Sequence, residues 1–352
     1  MIRPTRTIRP PDSVSAASSS VAIFLPALFV AGLVFYKFKG SLIAIQKVWL
    51  SGVLSVRTDV LVPGKAGGFA VALSTLNYFG VIWPALAFGI LISAAVRAFV
   101  PRLWIVRFFG GHWLRGQFTA SAACAPLMLC SCCVAPIFSA IYERSSRLGP
   151  SLAVMLASPS LNPAALVLTF MLFSPKVAAT RFLMAMIAVL FGGFLIERFF
   201  TKTMPLPIHR EEADPIAPGG LFEAVSAFCR SLLYMIVRTI PVLIVGVICS
   251  MLLVQYVPKE LLSSSGFRYL VVAATALIAV PLALPTFFEI PLALGLLAAG
   301  APVGAAAALL FAGPAVNWPS LLTLAKSTNW KIAIALAIFI WVIATGGGLL
   351  LS

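Results

Sequence analysis

Eight long apolar stretches, separated by short connections that hold most of the charge, constrain this chain more than any single motif does. They recur at about 73–98, 116–142, 148–173, 178–200, 231–256, 268–297, 303–325 and 331–350, each near the roughly 20 residues a helix needs to cross hydrocarbon. In lipid every backbone polar group must be satisfied internally, so only helices or closed barrels span. The stretches are continuous rather than alternating, which excludes the barrel. The chain is 61% hydrophobic and only 10% charged, against roughly 25% charged in a soluble domain. The fold class expected is an all-α polytopic membrane protein with about eight to ten transmembrane helices.

The net charge of +15 would suggest nucleic acid in a soluble protein, but the 25 Lys and Arg are scattered between apolar blocks. There they act as interfacial anchors and topology signals, so the partners expected are membrane lipid and a small-molecule substrate. No nucleic acid is expected, and a homo-oligomer is compatible with the composition.

Four segments follow along the chain. Residues 1–66 comprise a polar tail with Arg3, Arg6 and Arg9, an anchor helix near 21–36, and an amphipathic stretch with Lys47, Trp49, Arg57 and Asp59 over 40–66. Lys37 and Lys39 follow the anchor where a cleavable signal would show small residues. Residues 67–200 form a first half. A proline-rich, charged linker is expected at 201–230, and residues 231–352 form a second half.

The halves repeat. Pro84, Gly89 and Val100-Pro101-Arg102 match Pro241, Gly246 and Val257-Pro258-Lys259 at an offset of 157. The offset then becomes 155, pairing Pro126 with Pro281, Pro136 with Pro291, Gly149 with Gly304, Pro159 with Pro314 and Asn162 with Asn317. Duplicated halves with proline-broken helices at matching positions point to a transport site between repeats. If every block crosses, the two sides carry about 13 and about 11 positive charges, too close to decide between inverted and parallel repeats. If 116–142 and 268–297 are re-entrant, the split becomes about 15 to about 9, which mildly favours an inverted arrangement with the N-terminus inside.

Chemistry concentrates at the breaks. Cys130-Ser131-Cys132-Cys133 precedes Pro136. On a helix Cys130 and Cys133 share a face while Cys132 points about 100° away; Cys132 joins them only if Pro136 loosens the turn. Sulfur selects soft, thiophilic species. A bare divalent ion would need charged thiolates at membrane depth, whereas a trivalent organoarsenical exchanges two hydroxyls for two thiols and leaves a neutral adduct. The alternative is that cysteine serves only as a small apolar residue, the reading preferred for Cys124, Cys229 and Cys249. His112 and His209 are remote in sequence from the thiols, so a closed Cys/His zinc site is not expected.

Asn162 and Asn317 stand beside proline breaks and either line the substrate path or cap the broken helices. Glu289, between Pro285 and Pro291, is an intramembrane carboxylate and hence a candidate for proton coupling, or it forms an internal ion pair with an arginine such as Arg238. Glu143, Arg144 and Arg147 read as a solvated loop. Gly346-Gly347-Gly348 reads as a helix-packing feature, and no glycine-rich phosphate loop, His-Glu-x-x-His or serine elbow occurs. No cofactor, resident metal or catalytic residue is called for.

Together, Cys130-Ser131-Cys132-Cys133-Val134-Ala135-Pro136, Ala157-Ser158-Pro159-Ser160-Leu161-Asn162-Pro163, Pro285-Thr286-Phe287-Phe288-Glu289-Ile290-Pro291 and Ala312-Gly313-Pro314-Ala315-Val316-Asn317-Trp318-Pro319-Ser320 resemble the predicted-permease family of ArsP-type and YraQ-type membrane proteins. The resemblance covers about 67–352, with the first 66 residues looking peculiar to this chain. It implies a multi-pass inner-membrane permease. In characterised members it implies export of trivalent organoarsenicals through membrane cysteines, which carries over to Cys130, Cys132 and Cys133. Many relatives have glycine at the position of Cys133. The resulting expectation is a secondary transporter exporting a small thiophilic solute. The alternatives are a membrane thiol oxidoreductase, or a permease for an unrelated solute with structural cysteines.

Overall fold

The computed structural model describes residues 16–52, 68–100, 113–145, 147–200, 221–256, 268–284, 286–298 and 300–351. The polar tail before residue 16, most of the amphipathic stretch, His112, His209 and the linker core at 201–220 lie outside them.

The described chain is all-helical. In order the helices are α1 (Ala16–Ser51), α2 (Gly68–Phe99), α3 (Trp113–Cys124), α4 (Ser131–Ser145), α5 (Leu148–Ser160), α6 (Pro163–Leu172), α7 (Pro175–Phe200), α8 (Leu221–Tyr256), α9 (Arg268–Ala279), α10 (Glu289–Ala298), α11 (Val303–Ala315), α12 (Trp318–Ser327) and α13 (Trp330–Leu349). A 3-10 turn, Ala125–Leu127, lies between α3 and α4.

Five of these helices are long and apolar enough to cross a membrane, or up to seven spans if two bent pairs each count as one. The blocks expected at 116–142 and 268–297 are each cut into short helices by their proline segments, the proline-broken or re-entrant form expected of such blocks, and no single piece is a span by itself. The bent pairs, α5 with α6 (41°) and α11 with α12 (44°), fall where Pro159-Ser160-Leu161-Asn162-Pro163 and Pro314-Ala315-Val316-Asn317-Trp318-Pro319 interrupt the ladder. Proline at the first positions of α6 and α12 is tolerated because its missing N–H would be unpaired there anyway.

The N-terminal boundary also shifts. α1 runs unbroken to Ser51, so the anchor and the start of the amphipathic stretch are one helix. α8 begins at Leu221, inside the segment assigned to the linker. Its early charges, Glu223 and Arg230, suit the exposed end of a long helix as well as they suit a linker.

The centre of the molecule is α5 and α11. Every residue of α5 is buried, and α11 is buried at eleven positions from Gly304 to Ala315; helices apolar all round belong inside. Around them α7, α8 and α13 turn Phe182, Leu183, Ile187, Val237, Ile334 and Val342 outward, the face lipid would cover.

Small residues set the closest approaches, as in other membrane bundles. Gly193 of α7 lies against the Gly149 carbonyl so tightly that a side chain would overlap it, and a Cβ on Gly348 of α13 would lie 2.7 Å from the Gly304 carbonyl. The α7–α13 packing is reciprocal. Gly192 faces Phe339, where a Cβ would sit 2.8 Å from the ring, and Gly347 presses on Met184. Going up α7 from Met184 to Gly192, the partners descend α13 from Gly347 to Phe339, so the two helices are antiparallel. α2 and α8 also meet end to start, Phe99 stacking on Phe228 with centroids 6.1 Å apart.

Candidate functional site

The thiol site is built at the start of α4. The chain leaves the 3-10 turn through Met128, whose φ of 50° is left-handed, a conformation uncommon for a residue with a side chain. Ser41 of α1 holds this corner by donating to Met128 Sδ (3.5 Å), and Leu129 N donates to Ser158 Oγ on α5 (3.0 Å). Cys130 therefore precedes the helix rather than sitting within it. Its carbonyl accepts from Cys133 N (3.0 Å) and Val134 N (3.1 Å), beginning the helical ladder.

That placement brings all three sulfurs together. Cys130 Sγ lies 3.0 Å from Cys132 Sγ and 2.9 Å from Cys133 Sγ, and the Cys132–Cys133 pair is 3.9 Å apart. Two sulfurs on one soft centre, with bonds of about 2.3 Å as in zinc thiolates, lie at most about 4.6 Å apart, and all three pairs meet this limit. The expected route for Cys132, a turn loosened by Pro136, is not needed: the helix starts one residue too late for Cys130 to obey helical spacing. Cys132 and Cys133 are fully buried, and Cys130 lines a cavity of about 590 Å³ between α1, α2 and the Thr286–Phe287 turn. The other described cysteines do not join the cluster, and all six are free thiols.

Tyr78 of α2, absent from the sequence expectations, completes the site. Its hydroxyl lies 3.2 Å from Cys132 Sγ and the residue is fully buried. Gly89 on the same helix allows this approach, since a Cβ there would sit 2.5 Å from the Cys133 carbonyl. A buried tyrosine needs a partner for its hydroxyl, which is the signal that its place in α2 offered.

Asn162 and Asn317 both cap helices. Asn162 Oδ1 accepts from Ala164 N (3.1 Å) and Ala165 N (3.3 Å). Asn317 and Ser320 form a reciprocal capping box. Asn317 Nδ2, however, is buried with no hydrogen-bond partner among the described residues. Among the described residues neither asparagine hydrogen-bonds to a thiol. The second break is tied to the turn before α10 by Trp318 N donating to the Pro281 carbonyl (3.1 Å).

Glu289 opens α10 and is buried, 3.1 Å from Arg181 Nη2 of α7 rather than beside Arg238. The side chains are 1% and 4% exposed, and Arg181 Nη1 also donates to Thr169 Oγ1 (2.5 Å). Phe287, two residues earlier, has a left-handed φ of 74°. Arg238 instead pairs with Glu143, which is bound as well by Arg97 (2.5 Å). Glu143 thus joins α2, α4 and α8 and is not on a solvated loop; Arg147 is 4.0 Å from Glu197. The Arg144 side chain lies outside the described residues.

A sequence profile described as a predicted permease matches residues 69–352. The chain is similar to UPF0718 protein YraQ of Escherichia coli (strain K12), 28% identical over 324 residues, covering 90% of this chain and 91% of that protein. It is also similar to UPF0718 protein MJ0584 of Methanocaldococcus jannaschii, 20% identical over 305 residues, covering 69% of this chain and 84% of that protein. The YraQ match covers more of this chain than residues 67–352 can supply, so it extends into the first 66 residues, and that segment is not wholly peculiar to this chain. No solved structure matches this chain.

Proposed function

Since this chain belongs to the predicted-permease family and is a multi-pass membrane protein, we propose that it is a secondary transporter exporting a small thiophilic solute, such as a trivalent organoarsenical, across the inner membrane. The observation that carries this reading is the set of three buried sulfurs within 4.8 Å of one another inside a membrane bundle. The exchange is balanced without redox change: R–As(OH)2 and two thiols give R–As(S–Cys)2 and two waters. The adduct is neutral, so it avoids the large cost of burying charge. Cys130 and Cys133, the closest pair, supply the two As–S bonds, and Cys132 lies beside them as an alternate thiol for the exchange.

Glu289 is the candidate proton carrier. A proton on its carboxylate would neutralise one partner of a buried ion pair and leave Arg181 to find another, a local charge change with which a two-state element can be biased. Asn317, with its free Nδ2, and Asn162 shape the path at the two breaks.

The two halves are proposed to be inverted repeats. Three features support this: the Gly149–Gly193 contact recurs 155 residues on as Gly304–Gly348, the Gly192–Phe339 and Gly347–Met184 contacts exchange under the same offset, and α7 runs antiparallel to α13. Equivalent helices related by an axis in the membrane plane must run in opposite directions, which is the arrangement of many alternating-access carriers.

The test is uptake of methylarsenite into inside-out vesicles from a host lacking arsenical efflux. Replacing both Cys130→Ser and Cys133→Ser is expected to abolish it. Unchanged uptake and resistance would show that the thiols only pack.

A further inference from the structure

The cavity that Cys130 lines carries charges that the thiol chemistry does not use. α1 contributes Lys37 and Lys39 to its wall, and no carboxylate lines it among the described residues. Lys37 Nζ donates to Thr286 Oγ1 (3.4 Å), across the cavity from its own helix. A lysine in a membrane helix commonly extends its ammonium to the nearer interface, but Lys37 is poorly placed to do so. It sits near the middle of the apolar segment Phe24–Ser51, with about 20 Å of helix on either side. Ionisable groups at such depth characteristically face a wet cavity and mark substrate pathways. Val81, Ile82 and Phe287 add apolar wall to the same cavity. One cavity thus presents a soft thiol, an ammonium and apolar surface together.

We propose that this cavity is the vestibule of the thiol site and selects an organic thiophile that also bears an anionic group such as a carboxylate. The inference rests on the thiol reading above and adds a substrate class to it. The carboxylate binds the Lys37 ammonium, whose remaining N–H bonds are free to donate, and the Thr286 hydroxyl, which accepts from Lys37 and donates to the ligand. The ring or alkyl body lies along Val81 and Ile82. The soft atom reaches Cys130 and exchanges two hydroxyls for the Cys130 and Cys133 thiols, releasing two waters with no change of oxidation state and leaving the carboxylate untouched. α1 lies outside the segment that the permease profile matches, while Val81, Ile82, Cys130 and Thr286 lie inside it, so the vestibule is built jointly by both.

The experiment compares two arsenicals that differ by one carboxylate substituent, phenylarsine oxide and 4-carboxyphenylarsine oxide, on the purified full chain. Binding is read as protection of Cys130 and Cys133 from maleimide, site by site, by mass spectrometry. The wild type should favour the carboxylated compound by about ten-fold, the range of one charge-assisted hydrogen bond. Lys37→Gln should erase that preference while still binding phenylarsine oxide, which shows that the variant is folded, and Lys37→Arg should retain it. Equal protection by the two compounds in the wild type, or a preference that survives Lys37→Gln, overturns the vestibule while leaving the thiol site standing. If neither compound protects the thiols, the thiol site itself is wrong and the vestibule goes with it.

Discussion

Burying an arginine and a glutamate together inside a membrane bundle is costly unless both are well bonded, and removing one partner is worse than removing both. Arg181 and Glu289 test this at the residue scale. Glu289→Gln should lower stability by about 3–5 kcal/mol because it strands a buried guanidinium, read as a fall in thermal unfolding temperature in detergent. The double replacement Arg181→Met with Glu289→Leu should recover most of that loss yet fail to transport. A double variant that transports normally would make the pair purely structural. The sequence marked Glu289 by its depth but not its partner, because Arg181 stands six residues into α7 beside Lys176 and reads there as an interfacial anchor. Arg238, the partner expected, is engaged by Glu143. The thiols were legible as a cluster; that Cys132 belongs to it was not, because membership depends on Cys130 lying just outside the helix, and helix starts are the least readable boundaries.

Proline breaks and small residues shape the elements, and here prediction turns on close approach. A Cβ on Gly246 of α8 would lie 2.6 Å from Pro319 N at the α12 break, as one on Gly89 would press the Cys133 carbonyl beside the thiols. Gly246→Ala should cost about 1–3 kcal/mol by overpacking, whereas Gly80→Ala on α2, with nothing within 4 Å, should be neutral in the same melting assay. Gly89→Ala should in addition slow maleimide reaction or arsenical binding at the thiols by moving the turn that holds them. The breaks at Pro159 and Pro314 were readable from sequence because proline cannot continue the ladder. The exact course of the cut blocks was not. Whether an apolar stretch crosses or folds back depends on what its two short pieces pack against, and α3, α4 and α9 are held by helices beyond the next one in the chain.

For the whole molecule, the inverted arrangement makes a topological prediction. The N-terminal ends of α2 and α8 should lie on opposite sides of the membrane. Phe69→Cys and Phe222→Cys, both strongly exposed positions, introduced with the exposed Cys229 replaced by serine, should be labelled by a membrane-impermeant maleimide from opposite faces. Labelling from the same face would rule out inversion. The proline and asparagine register already hinted at duplication, but charge counts alone divided the topologies poorly. The direction of α13 against α7 is a packing fact that no residue spacing encodes. Whether the thiols hold the transported solute can be read by X-ray absorption at the arsenic edge of the purified protein loaded with methylarsenite. Two As–S bonds and one As–C bond per arsenic are expected, with the paired As–S signal lost in the Cys130→Ser, Cys133→Ser variant. An oxygen-only shell, or a paired As–S signal that persists in that variant, would contradict binding of the solute by these thiols.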